Sequence, residues 1–198
     1  RFERELYIIR RRIEKAAIAA QVRELYFCSL SCRSIIYKGM MLAEQVAEFY
    51  PDLKDARFES AFAIYHQRYS TNTFPQWWLA QPFRCLAHNG EINTIRGNKN
   101  WMLSHEIKMA ATSFGEHSED IKPVIPAGAS DTAALDATFE AICRSGRDDH
   151  RFTASAIVPA SGAAAAAGDG LADDRARGVG RGVHHLGAGV LVLALAGE

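Results

Sequence analysis

Three groups of polar residues have complementary chemistry although they lie far apart along the chain. Arg68 lies at the end of an apolar run, Asn89-Gly90 follows a second apolar run, and Asp131 lies one residue into a predicted helix. A guanidinium binds a carboxylate through two parallel hydrogen bonds, and an amide beside a glycine N–H offers two donors to an oxyanion. A carboxylate at a helix N-terminus can accept an ammonium group, because the helix dipole favours negative charge there. Together these groups suit a free α-amino acid whose side-chain carbonyl is attacked, and glutamine fits that description.

Each feature also has a purely structural interpretation. Arg68 can serve as the partner of a structural carboxylate. Asn-Gly after a strand is commonly a hairpin turn, and an aspartate in Ser-Asp-Thr commonly stabilises the first turn of a helix. The binding hypothesis therefore depends on the three groups meeting around one ligand.

The elements that would position these residues indicate an α+β fold. Leu6, Ile9 and Ile13 recur at helical spacing, which predicts an amphipathic helix up to about Val22 with the arginines 10–12 on its solvated face. The run 58–69 has apolar residues on both faces, which predicts a strand covered on both sides. Further strands are predicted at 25–30, 33–38 and 84–87, and further helices at 42–50, 93–111 and 130–142, the last capped by Ser130 and with Leu135, Phe139 and Ile142 inward.

Composition excludes several classes of protein. The 198 residues carry 23 Lys and Arg against 23 Asp and Glu, so the formal net charge is zero. A general nucleic-acid binder or a polybasic membrane-surface protein needs a surplus of cations, so we expect neither partner. The longest apolar stretch, 186–196, is too short to span a bilayer. With four cysteines and no export signal, we expect a reducing, cytoplasmic compartment.

The composition changes near residue 150. Of the 45 residues from Ala154 to Glu198, 22 are Ala or Gly, and every aromatic residue is absent. Such a segment has little large apolar surface to offset the entropy of ordering. We therefore divide the chain into a domain at 1–150 and an Ala/Gly-rich tail at 151–198, which is predicted to be disordered or translated out of frame.

One segment is specific enough to indicate a family. The sequence from His66 to Met102, HQRYSTNTFPQWWLAQPFRCLAHNGEINTIRGNKNWM, resembles the class II glutamine amidotransferase domain at the front of the large subunit of glutamate synthases. The motifs HQRYSTNT, the tryptophan pair and HNGEIN come in the family's order and spacing, and the later SDTAALD fits as well. The stretch NTFPQWW favours glutamate synthases over other class II relatives. The resemblance runs from residue 1 to about Arg147.

The resemblance implies a fold and a chemistry. The fold is that of N-terminal-nucleophile (Ntn) hydrolases, a four-layer αββα sandwich, here incomplete. By their positions in the motifs, Arg68 would bind the glutamine carboxylate, Asp131 its ammonium, and Asn89 with Gly90 the oxyanion. The family's nucleophile is a cysteine at the mature N-terminus whose own α-amine is the base, and it forms a thioester with release of ammonia.

The resemblance also implies partners and cofactors. In a complete glutamate synthase, ammonia passes to an FMN-containing synthase domain of the same chain, which converts 2-oxoglutarate to glutamate. Iron–sulfur clusters supply the electrons, which come through a small electron-transferring subunit or from ferredoxin. L-glutamine, the synthase domain and the electron donor are thus the expected partners. No cofactor is expected in this segment, and the location would be the cytoplasm, or a plastid in a plant.

The chain departs from the family's pattern at both ends. It begins at Arg1 without an initiator methionine, and none of its four cysteines matches the nucleophile, which should lie upstream. We therefore expect this chain to be a piece of a longer protein. By itself the piece should have no glutaminase activity. After Arg147 the pattern is lost, which a frame change near Asp148 would explain.

Two other functions remain open from the sequence. A glutaminase-like domain that has lost its nucleophile could bind an amino acid or a partner without catalysis. A redox or metal protein could use Cys28 and Cys32. In a strand, however, these two cysteines would lie about 13 Å apart, which is too far for one tetrahedral zinc ion.

Overall fold

The computed structural model describes residues 1–22, 24–60, 62–66, 76–86, 92, 94–146 and 190–194. Within these ranges the helices are α1 (Phe2–Ala19), α2 (Ala43–Phe49), α3 (Ile95–Ser113) and α4 (Asp131–Arg144). The strands are β1 (Ser34–Lys38), β2 (Phe62–His66) and β3 (Val190–Ala194), and short 3-10 turns lie at Pro51–Lys54, Trp77–Leu79 and Gly115–His117. This mixture of helices and strands confirms the α+β class. Among the described residues, no helix is long and apolar enough to cross a membrane.

The strands form one antiparallel sheet in the order β1-β3-β2. Ile36 of β1 and Ile64 of β2 both align with Val192 of the central strand. The central strand, of sequence VLVLA, comes from the segment that the composition assigns to the tail. The rest of that segment lies outside the described residues, so the boundary at residue 150 stays a prediction.

The predicted strand at 25–30 is wrong, because this part of the chain is irregular in the structure. The segment and the residues just after it form side-chain hydrogen bonds with neighbouring elements. Ser29 Oγ accepts the N–H of Ile36 at 3.1 Å, and Glu3 of α1 accepts the N–H of Cys32 at 2.7 Å. These bonds connect the segment to β1 and α1 instead of extending the sheet.

The prediction that the run 58–69 is covered on both sides is also wrong for the described residues. Strand β2 occupies Phe62–His66 at the edge of the sheet, with β3 as its one strand neighbour. Consecutive residues of a strand point to opposite faces, and both Ile64 and Tyr65 are exposed. The apolar pattern identified the strand but did not identify what lies against it.

The apolar core lies between three helices. Its buried residues come from α1, α3, α4 and the connection between α3 and α4, and they are Tyr7, Ile8, Met102, Phe114, Ile121, Val124 and Ala141. Tyr7 and Phe114 pack ring to ring, with centroids 5.9 Å apart. This core fixes α1 and α4 beside each other, and it brings their polar side chains together as well.

The face of α1 that is buried differs from the predicted one. Ile9 and Ile13 are 48% and 42% exposed, whereas Arg10 and Arg11 are 3% and 6% exposed. The prediction of a solvated arginine run is therefore wrong for these two residues and right for Arg12, which is exposed. Both guanidinium groups contact Glu14 of the same helix. Their other partners, the carboxylate of Glu140 and main-chain carbonyls of the connection between α3 and α4, come from other elements, which the periodicity of α1 cannot report.

Helix α4 begins as the sequence predicts. Ser130 is the N-cap, and its hydroxyl accepts the N–H of Ala133 at 3.2 Å, which satisfies a donor of the first turn. The helix continues to Arg144, two residues past the predicted end. Ile142 is buried as predicted, whereas Leu135 and Phe139 are half-buried. Seven residues of α4 are buried, and two of them, Asp136 and Glu140, are acidic.

Candidate functional site

Asp131 is the predicted site residue that the structure describes. It is the first residue of α4, where the free N–H groups of a helix favour an anion. One carboxylate oxygen, Oδ1, accepts the N–H of Thr132 at 2.7 Å, and the other, Oδ2, accepts the N–H of Ile92 at 2.8 Å. The side chain is half-buried, and its two hydrogen bonds hold it in place.

Arg68, Asn89 and Gly90 lie outside the described residues. Their neighbours in sequence are described: β2 ends at His66, two residues before Arg68, and Ile92 follows Gly90 by two residues. The structure therefore joins Asp131 to the chain just after Asn89-Gly90 through the bond to Ile92. The meeting of all three predicted groups stays a prediction.

A second aspartate of α4 holds the chain just before Asn89-Gly90. Asp136, 1% exposed, accepts three successive main-chain N–H groups: Oδ1 accepts those of Cys85 at 2.8 Å and Leu86 at 3.1 Å, and Oδ2 accepts that of Arg84 at 3.3 Å. The predicted strand at 84–87 is therefore wrong for 84–86, since a side chain takes the donors that a strand would give to its neighbour. Ala87 lies outside the described residues.

The Arg84 side chain connects the same segment to α1. Its Nη2 lies 3.3 Å from Glu14 Oε1, and its Nε donates to the Phe27 carbonyl at 2.9 Å. Glu14 also pairs with Arg10 at 2.7 Å and Arg11 at 2.8 Å. Burial alone would raise the pKa of Glu14, but the three guanidinium groups outweigh it and hold that pKa below its ordinary value.

For the pKa of Asp136, the effect of burial outweighs the effect of the neighbouring donors. Burial and the neighbouring Glu140 raise the pKa of its carboxyl, the backbone N–H donors and Arg84 lower it, and the net result is a pKa of about 6. Sequence analysis missed this residue. The signal was present in SDTAALDATFE, where acidic residues at 136 and 140 share a helical face with Ala137 and Ala141.

A buried lysine stabilises the chain that leads toward this region. Lys38, the last residue of β1, is 2% exposed, and its Nζ donates to the carbonyls of Trp78 and Ala80, each at 2.8 Å. The ammonium also lies over the Tyr26 ring, 4.4 Å from its centroid. Burial, with a smaller contribution from Arg84, lowers the pKa of Lys38 to about 7. The residue therefore fixes residues 78–80 relative to the sheet.

Three of the cysteines, Cys28, Cys32 and Cys85, do not have the environment of an activated nucleophile. Burial raises the pKa of Cys28 and of Cys85, and a hydrogen bond to the Glu3 carboxylate raises that of Cys32. A thiol with a raised pKa holds little of the reactive thiolate at neutral pH. Cys28 and Cys32 lie in irregular chain rather than a strand. Among the described residues no group of three His, Cys, Asp or Glu side chains could bind a metal ion.

Comparison with known proteins shows the family to which this chain belongs. The family model described as class II glutamine amidotransferases matches residues 1–168. The chain belongs to the class II glutamine amidotransferases. The match continues past residue 147, where the resemblance was expected to end.

Within that class the chain is similar to glutamate synthases. It is 66% identical over 146 residues to the large chain of the NADPH glutamate synthase of Azospirillum brasilense, which covers 74% of this chain and 10% of that one. It is 54% identical over 146 residues to the chloroplastic ferredoxin-dependent glutamate synthase of Oryza sativa subsp. japonica, covering 73% and 9%. The large chain of the NADPH enzyme of Bacillus subtilis is 48% identical over 158 residues, covering 80% and 10%. The chain thus spans about a tenth of the length of the curated relatives it matches.

Proposed function

We propose that this chain is part of the glutaminase domain of a glutamate synthase and that it binds L-glutamine. The observation that carries the proposal is the hydrogen bond between Ile92 N–H and Asp131 Oδ2, in a chain of the class II family. It joins the candidate ammonium-binding carboxylate to the chain two residues after the candidate oxyanion donors. Arg68 would bind the glutamine carboxylate, and Asn89 with Gly90 would bind the oxyanion that forms on the side-chain amide.

In the intact enzyme the domain would hydrolyse the glutamine amide through a cysteine thioester and release ammonia. We propose the four-layer αββα sandwich of Ntn hydrolases for the complete domain, of which the described helices and sheet would be a part. The ammonia would aminate 2-oxoglutarate in a synthase domain with FMN and iron–sulfur clusters, none of them assigned to this chain. Ferredoxin or a small electron-transferring subunit would supply electrons, in the cytoplasm or in a plastid, since the rice relative is named chloroplastic.

The binding proposal is tested with the purified chain and two ligands. L-glutamine has an α-ammonium group, and glutaric acid monoamide is the same molecule without it. If Asp131 binds the ammonium, the wild type prefers glutamine, and Asp131→Asn loses about tenfold or more of that preference, as expected for a hydrogen bond between charged groups. Isothermal titration calorimetry measures both dissociation constants.

A matched control separates this contact from a general change of charge. Asp120→Asn removes a carboxylate that contacts His117 in the connection between α3 and α4, and it should leave the preference at the wild-type value. Equal affinity of the wild-type chain for the two ligands would contradict the role proposed for Asp131.

A further inference from the structure

We propose that Asp136 is a positioning residue that holds residues 84–86 against helix α4 and so sets where the chain enters the Asn89-Gly90 segment. This inference rests on the proposed function, because the importance of that segment depends on its binding the glutamine amide. The contacts of Asp136 themselves are a separate observation. They involve a carboxylate that the proposed reaction does not use.

The buried carboxylate of Asp136 binds main-chain groups. Asp136 accepts three consecutive main-chain N–H groups with its two oxygens, and it makes them from inside the protein. A bond between an ionised acceptor and an N–H is stronger than one between neutral groups. Three such bonds to adjacent residues fix the direction of the backbone, which one contact to a side chain would not do.

The same helix holds the chain on the other side of that segment. Asp131, five residues earlier in α4, accepts the N–H of Ile92, so α4 contacts the main chain both before and after 87–91. Helix α4 is itself fixed by the core residue Ala141 and by the ion pair of Glu140 with Arg10. Helix α4 therefore carries the candidate ammonium-binding carboxylate. The same helix holds the main chain on both sides of the candidate oxyanion donors.

The substitutions Asp136→Ala and Asp136→Asn distinguish positioning from space filling. Alanine removes both acceptor oxygens, so amide exchange should accelerate by about tenfold or more at residues 84, 85 and 86 alike. Asparagine keeps one oxygen, which can still accept from Cys85 and Leu86, but its NH₂ group would face the N–H of Arg84. Relative to Asp136→Ala, we therefore expect Asp136→Asn to restore protection from amide exchange at residues 85 and 86 but not at residue 84.

Glu106→Gln is the matched control, because it also removes a buried carboxylate that accepts a main-chain N–H, but that of Val124 instead of residues 84–86. It should leave the exchange of 84–86 unchanged relative to the other amides of the core. Residue-resolved hydrogen exchange, measured by NMR on the purified chain, provides these rates. If Asp136→Ala does not fold, the pattern in Asp136→Asn decides the question.

Glutamine titration then links the contacts to the site. Asp136→Asn should weaken glutamine binding by about tenfold, and Glu106→Gln by less than about twofold. Unchanged exchange at 84–86, or glutamine affinity equal to that of the wild type in Asp136→Asn, would overturn the inference. If the wild-type chain does not bind glutamine, the proposed function fails, and the exchange pattern alone supports or overturns the positioning of 84–86.

Discussion

Arg10 of helix α1 and Glu140 of helix α4 form a buried ion pair, with Nη2 of the arginine 2.5 Å from Oε2 of the glutamate. Burial by itself lowers the pKa of Arg10, but Glu140 and Glu14 outweigh burial and raise that pKa above its ordinary value. Arg10 is therefore charged inside the protein. The pair connects the first helix to the helix that carries Asp131 and Asp136.

Removing one member of this pair should destabilise the protein strongly. Arg10→Met leaves the buried carboxylate of Glu140 without its partner and removes one partner of Glu14, so we expect a loss of about 3–5 kcal/mol in the free energy of unfolding. Urea unfolding followed by circular dichroism measures it. The neighbouring Arg12 is the control, because it is exposed and lies 3.8 Å from Asp120. Arg12→Met should cost less than about 1 kcal/mol, and equal losses in the two variants would contradict the prediction.

Lys38 predicts a dependence of stability on pH. Its pKa is about 7 in the folded protein and about 10.4 in an unfolded chain. Between these values the unfolded chain binds more protons, so the contribution of Lys38 raises stability as pH increases, by at most about 1.4 kcal/mol per pH unit. Urea unfolding at about pH 7 and about pH 9 measures the slope.

Comparison with Lys38→Met isolates this contribution. Cys28 and Cys85 have raised pKa values and titrate with the opposite sign, but they are present in both proteins. The wild type should therefore gain more stability over this range than Lys38→Met does. Identical slopes in the two proteins would show that Lys38 has an ordinary pKa.

Arg68 is expected to act on substrate binding. In an intact enzyme that contains this domain, Arg68→Ala should raise KM for glutamine by about 10- to 100-fold, since a hydrogen bond to a charged group contributes about 1.5–3 kcal/mol. Steady-state kinetics of ammonia release checks this. Arg57→Ala is the control, because Arg57 is exposed and pairs with Asp55, and it should leave KM unchanged. A normal KM in Arg68→Ala would remove Arg68 from the site.

Asn89 is expected to act on the chemical step. Asn89→Ala in the intact enzyme should lower kcat by about 10²–10³-fold, the usual effect of losing one oxyanion donor. KM should change much less, because the oxyanion exists only along the reaction path. Asn100→Ala, at an exposed position of α3, should retain the activity of the wild type. Normal kcat in Asn89→Ala would exclude the oxyanion role.

The success of the sequence predictions depended on how local the determining interaction is. Ser130 was identified as a helix cap because a cap needs only a hydroxyl three residues before an N–H. The strand predicted at 84–87 was wrong at residues 84–86 because the deciding acceptor, Asp136, comes about fifty residues later in the chain. The same reasoning applies to Arg10, whose partner Glu140 lies on another helix.

The sequence by itself determined the family, the α+β class, the positions of the helices, and the residue types that would recognise an amino acid. These follow from local propensities and from motifs within short stretches of chain. The tertiary structure decided which face of α1 is buried, which donors Asp136 satisfies, and why Lys38 loses its ordinary pKa. Those properties depend on the partner that folding brings to each buried charge, and a residue's own neighbours in sequence do not specify that partner.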